Sequence, residues 1–141
     1  MYQLLIFVQF TCAIFLVLTG PIIASNPSLL LLEMVAGGLG LWAVSKNTIG
    51  NFNISPRIKW NGRLVMCGPY KFIRHPMYAA LLLGTLTVVL NKFSFVRMWV
   101  WIALSTSIIT KLLIEERLLV QRFKRYASYK MRTKRLIPFI F

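Results

Sequence analysis

Residues able to do chemistry gather in three short stretches of the chain. "GPYKFIRHPMY", Gly68 to Tyr78, carries Tyr70, Arg74 and His75, the sole histidine of the protein. "EE", Glu115 and Glu116, closes a long apolar run, and "GLG", Gly38 to Gly40, interrupts another. Histidine is the side-chain type that ionises near neutrality, so His75 is a candidate for proton transfer or for polar contact with a ligand. Lys111 stands four residues before Glu115, a helical spacing at which the two could simply pair. Cys12 and Cys67 have no spacing that suggests metal ligation or a disulfide and read as free thiols, and no metal site is expected.

The elements that position these stretches are apolar. Of 141 residues, 57% are hydrophobic, in blocks of near-spanning length, and the fold expected is an all-α integral membrane bundle of about four transmembrane helices. The first span, within Tyr2 to Ala24, is closed by Gly20 and Pro21 and reads as a retained anchor. The second runs from Ser28 to Ser45, with Gly37, Gly38 and Gly40 as a helix-packing surface, a ligand approach, or both. Met77 to Leu90 is a third apolar run, and a fourth follows Ser94 as far as Ile114. Glu115 and Glu116 then begin a polar helix expected to reach about Tyr126, a helical C-terminal extension. The chain is expected to form a single membrane domain, 1–141, with a first span and turn over 1–27 and a core over 28–141.

Seventeen Lys and Arg against three acids give a net charge of +14. The loop 46–76 carries Lys46, Arg57, Lys59, Arg63, Lys71 and Arg74. The tail carries Arg117, Arg122, Lys124, Arg125, Lys130, Arg132, Lys134 and Arg135, while Lys92 and Arg97 fall near the opposite end. This asymmetry places loop, tail and both termini in the cytoplasm, in the bacterial inner membrane or another cytosol-facing membrane. The three reactive stretches then meet at the cytosolic boundary, where an ionisable group is costly unless it is paired or lines a wet cavity. No nucleic-acid partner is expected, because the charge flanks apolar spans without a nucleic-acid-binding motif. The basic tail reads as attraction to anionic lipid, and oligomeric state is left open.

"GPYKFIRHPMY" before an apolar hairpin, "EE", and the tail "RYASYKMRTKRLIPF" together resemble the catalytic core of the isoprenylcysteine carboxyl methyltransferases and the related phospholipid methyltransferases, over about residues 36 to 140. The resemblance implies S-adenosylmethionine as methyl donor and a lipid or lipidated acceptor arriving from the membrane. By the same resemblance Gly38 and Gly40 lie at the cofactor, Tyr70, Arg74, His75, Pro76 and Tyr78 belong to the loop around it, and Glu115 or Glu116 is its acidic contact. Lys111 is placed on the substrate side, and Tyr126, Tyr129 and Pro138 match the family tail. Such a cofactor offers a cationic amino group, a carboxylate and ribose hydroxyls, which acceptors, donors and aromatic walls of these types suit. A carboxylate acceptor needs no base, whereas an amine must lose a proton; for His75 the loop position favours binding over the base role. Two other readings are an NADPH-dependent sterol-type membrane reductase and a four-helix small-molecule transporter, the latter requiring Glu33 as a deep titratable acid.

Overall fold

The computed structural model describes residues 2–47, 64–138, 140 and 141. Five α-helices account for most of them: α1 (Tyr2–Leu18), α2 (Pro27–Lys46), α3 (Pro76–Asn91), α4 (Phe95–Arg122) and α5 (Tyr126–Arg132), with a 3-10 turn at Gly68–Lys71. No strand is present among the described residues; one isolated parallel bridge joins Ile73 to Lys134. The all-helical reading holds, with some boundaries moved. α1 stops at Leu18, short of Ala24, because Gly20 and Pro21 follow within three residues. α4 passes through Glu115 and Glu116 without a break to Arg122, and the polar helix expected as far as Tyr126 is divided instead by an extended Phe123 and a turn at Lys124 and Arg125, after which α5 starts separately.

Local signals account for the helix starts. Asn26 accepts a hydrogen bond from Ser28 N at 2.9 Å and Pro27 opens α2, while Pro76 opens α3 with His75 in the capping position. α2 and α4 are long and apolar enough to cross a membrane, and α1 and α3 are shorter apolar helices. Leu4, Phe7, Leu18, Met34, Leu41 and Trp99 are all more than half exposed. An outward apolar surface of that extent suits lipid.

α2 pairs chiefly with α3, and α1 with α4. The first pair meets through small residues. A Cβ on Gly40 would lie 3.5 Å from Ala80 Cβ, and one on Gly84 would lie 3.7 Å from Ala36 Cβ. Ala36 and Gly40 on α2 thus face Gly84 and Ala80 on α3, an antiparallel register in which missing side chains let the backbones approach. In the second pair Ser107 donates to Leu5 O at 3.0 Å, and Arg97 donates to Leu16 O at 3.3 Å. Leu16 of α1, Leu104 and Ile108 of α4 and Val89 of α3 form the core where these helices meet.

At the end opposite the reactive stretches, Arg97 is 4% exposed and also donates to Val88 O at 2.8 Å and Thr19 O at 3.4 Å. Those carbonyls belong to the C-terminal turns of α1 and α3 and the residue following α1, where a cation satisfies orphan acceptors. Gly20 gives the guanidinium room, since a Cβ there would overlap it. Glu33 accepts from Ala24 N at 2.9 Å, and Asn91 bridges Ser25 N and Ile23 O. These bonds fix the turn between α1 and α2 against the end of α3.

Candidate functional site

The central loop reaches the site through a tight approach to α2. Gly68 adopts φ +61°, and a Cβ there would sit 2.6 Å from Lys46 Cγ, so both backbone and space call for glycine. The 3-10 turn then leads into a segment held by the tail. Arg74 N donates to Lys134 O at 2.7 Å, His75 N donates to Arg135 O at 3.0 Å, and Lys134 N donates to Phe72 O at 3.1 Å. His75 O accepts from Tyr78 N and Ala79 N, which makes the start of α3 continuous with the pinned loop.

Glu116 ties three segments together. It is 3% exposed; Oε1 accepts from Arg74 Nε at 2.5 Å and Oε2 from Arg135 Nε at 3.1 Å. Arg74, 8% exposed, also donates through Nη1 to Lys130 O and Thr133 O. Loop, α4 and tail therefore share one charge-assisted network, and charge-assisted bonds of this kind are the strong ones. Glu115 points elsewhere, as neighbouring positions on a helix must. Its Oε2 accepts from the Tyr78 hydroxyl at 2.8 Å, and Tyr78 stacks on His75 with ring centroids 5.4 Å apart and 3° between planes.

A cavity of about 170 Å³ opens among these groups. Tyr70, Arg74, His75, Pro76, Tyr78 and Glu115 line it, together with Tyr126 and Tyr129 of α5 and the apolar Leu64, Met77 and Leu119. His75 Nε2 stands 3.7 Å from Glu116 Oε1, beyond hydrogen-bond reach, and both His75 Nε2 and the Tyr126 hydroxyl are buried without a partner among the described residues. Two orphaned polar groups beside one cavity are costly unless a ligand satisfies them. The Tyr129 hydroxyl donates to Tyr70 O at 2.6 Å. Burial, and then the nearby Glu115 carboxylate, push the Tyr70 phenol up to about 12, and burial above all raises Tyr126 and Tyr129, so all three are neutral hydroxyls near pH 7.

Eight of the residues singled out in the sequence, Tyr126 and Tyr129 of the tail among them, thus meet at one cavity. Glu116 sits behind it with both carboxylate oxygens held by guanidinium groups. Gly38 and Gly40 do not line it: Gly40 packs on Ala80, and a Cβ at Gly37 or Gly38 would meet nothing within 4 Å. Lys111 does not line it either. It is 3% exposed, donates to Gln9 at 3.3 Å instead of pairing with Glu115, and stands 5.3 Å from the centroid of the Tyr78 ring. Arg135 and Gln9 were not expected in these networks. Nothing local in the sequence marks either, because each partner is more than ten residues away along the chain. Arg57, Lys59 and Arg63 of the central loop lie outside the described residues.

On the other side of the loop, a larger groove of about 750 Å³ runs between α2, α3 and α4. Leu39, Trp42, Phe72, Leu86, Trp101 and Ile109 line it, and the unpartnered Ser105 hydroxyl is a rare polar feature there. No group of three or more His, Cys, Asp or Glu is placed to hold a metal among the described residues. No curated protein matches the chain closely enough to stand as a named relative. A model of the phospholipid methyltransferases matches residues 29–126, a stretch that includes the small-residue face, the pinned loop, the paired glutamates and the first residue of α5. The chain belongs to the phospholipid methyltransferase family.

Proposed function

We propose that the protein transfers a methyl group from S-adenosylmethionine to a lipophilic acceptor, with a phospholipid amine favoured over an isoprenylcysteine-like carboxylate, at the cytosolic face of a membrane. Family membership points to a methyltransferase of membrane lipids, and the choice of donor and acceptor is our reading. The observation that carries it is the cavity lined by His75, Tyr126, Glu115 and three further tyrosines, beside which His75 Nε2 and the Tyr126 hydroxyl are buried without a hydrogen-bond partner among the described residues.

The residues present fit that cofactor. Glu115 offers an acceptor for its amino group or ribose, His75 and Tyr126 offer polar atoms in want of partners, and Tyr70, Tyr78 and Tyr129 supply aromatic walls. At about 170 Å³ the cavity is smaller than the roughly 300–1,000 Å³ of most ligand pockets. The described walls therefore suit the polar end of the molecule. The cofactor would supply an electrophilic methyl group. The chain's own task is to align acceptor and donor and to exclude water. Glu116 serves by holding Arg74, and with it His75, at a fixed depth. Lys111 backs the Tyr78 ring, so we assign its influence on the acceptor to the placement of Tyr78. For an amine acceptor, the proton would leave toward Glu115 or His75, the groups beside the cavity able to take one.

The apolar groove bounded by Trp42, Phe72 and Trp101 is suited to an acyl or isoprenoid chain. Four spans, α1 to α4, in one domain over 1–141, with the basic loop and tail in the cytosol, complete the topology we propose. The transporter reading finds less support, since Glu33, the acid it needs, accepts from Ala24 N in the turn after α1 and lines neither of the cavities described above. Calorimetric titration of S-adenosylmethionine and S-adenosylhomocysteine into the detergent-solubilised protein tests the proposal. Binding should weaken at least tenfold, about 1.4 kcal/mol, in both Glu115→Ala and His75→Ala. No binding to a folded wild-type protein, with or without phosphatidylethanolamine present, would overturn it.

A further inference from the structure

A second cleft lies on the outer side of Tyr129. Lys71 from the 3-10 turn, Arg125 at the start of α5 and Arg132 at its end surround a space of about 440 Å³, joined by Ser128, Tyr129 and Thr133. Positions 125, 128, 129 and 132 follow one face of α5, so the helix presents its two arginines to the same space, with the Ser128 hydroxyl donating to Arg125 O at 3.1 Å between them. All three basic residues are exposed, and none forms an ion pair or side-chain hydrogen bond among the described residues.

The chain contains no acid that could neutralise them. Its three acidic residues are Glu33, Glu115 and Glu116; Glu33 is bonded at the far turn, Glu115 to Tyr78, and Glu116 to Arg74 and Arg135. Three like charges held round one space repel, and their neutralising anion must come from outside the protein. Large apolar side chains are interleaved with the charges: Met66 lines the cleft at 40% exposure, Phe72 follows Lys71 at 55%, and Met131 precedes Arg132 at 83%. Water-exposed apolar groups beside unpaired cations match the boundary of an anionic bilayer, where phosphate and hydrocarbon lie a few ångströms apart.

We infer that this cleft binds the phosphate headgroup of an anionic phospholipid, separately from the methyl-transfer cavity. The inference rests on the membrane reading of the bundle and is independent of the methyl donor. Tyr129 is the shared wall, with its hydroxyl bonded to the loop at Tyr70 O. A lipid seated against Lys71 and Arg125 would brace α5 on the loop and steady that wall.

The test uses the full chain in neutral detergent, titrated with phosphatidylglycerol and with phosphatidylcholine, with bound lipid counted by native mass spectrometry. Phosphatidylglycerol should bind with preference. In the triple variant Lys71→Gln/Arg125→Gln/Arg132→Gln its Kd should rise at least tenfold, and in the charge-retaining variant Lys71→Arg/Arg125→Lys/Arg132→Lys less than threefold. A control that removes the same charge elsewhere, Arg117→Gln/Lys124→Gln/Lys134→Gln, should change it less than twofold. Equal losses in the two glutamine triples would overturn the site in favour of diffuse attraction. Equal affinity for phosphatidylcholine would overturn the anionic preference, and displacement of the lipid by millimolar inorganic phosphate would show a free-phosphate site instead. S-adenosylmethionine titrations on the same samples separate failure of this site from failure of the methyltransferase reading.

Discussion

The bundle buries an arginine at each end, and the two are handled differently. Arg97 has backbone carbonyls of α1, Thr19 and α3 around it and no carboxylate; Arg74 divides its donors between backbone carbonyls and Glu116, which Arg135 also holds. Both ends leave buried atoms without partners. Arg97 Nε is one, but Arg97 lines none of the cavities described above, whereas the orphaned His75 and Tyr126 atoms belong to residues lining one. The far end uses its cation to close helices. The near end uses its cation to place other groups around a space, and that difference marks the near end, and not the far one, as the candidate site.

Substitutions at the two ends should break this contrast apart if it is wrong. Glu116→Ala strands two guanidinium groups, Arg74 in an almost dry setting, and should lower stability by about 3–5 kcal/mol. Chemical denaturation reads the stability loss, and S-adenosylmethionine titration should show binding lost with it. Arg97→Leu leaves carbonyls unbonded at a cost of about 1–3 kcal/mol. Its cofactor affinity, measured in the surviving folded fraction, should stay within twofold of wild type; a tenfold loss would erase the distinction. Gly40→Leu overpacks the contact with Ala80 and should cost a similar 1–3 kcal/mol, about as much as other forced core insertions. Gly38→Ala meets open space and should change stability by no more than about 1 kcal/mol, in the favourable direction. Unchanged cofactor affinity in Gly38→Ala would remove Gly38 from the cofactor contacts, and a clear loss would restore it.

The smallest effect concerns alkaline pH. The folded state holds Tyr70 neutral with its ionisation raised from 10.0 to about 12. The resulting stabilisation is complete below pH 10 and disappears as pH rises through 12. Because Tyr70 is partly open to solvent, the fall should be shallow, and Tyr70→Phe should flatten it relative to wild type in a pH series of thermal melts.

Much of this was legible beforehand. Gly20-Pro21 marks the end of the first helix through backbone chemistry that acts within a few residues, and the structure respects it. The meeting of Tyr70 to Tyr78 with the glutamates was expected from charge asymmetry, which assigns those helix ends to one side of a membrane on the sequence reading. The pairings inside that meeting were not legible. Lys111 turns to Gln9 although Glu115 is four residues away, because α1 packs against that face of α4. The glycines divide for a similar reason: Gly40 faces α3, and Gly38, two residues earlier, faces outward. Direction around a helix depends on neighbours that sequence spacing does not name.

The parallel bridge between Ile73 and Lys134 has a kinetic consequence. The α1–α4 pairing joins segments still farther apart in sequence than the bridge does, so the bundle carries a loop-closure cost at least as large as that of the site. Helices and site should therefore assemble together, and lesions in the tail segment around Lys134 and Arg135 should slow folding of the whole chain, a phenotype easily mistaken for a purely catalytic defect.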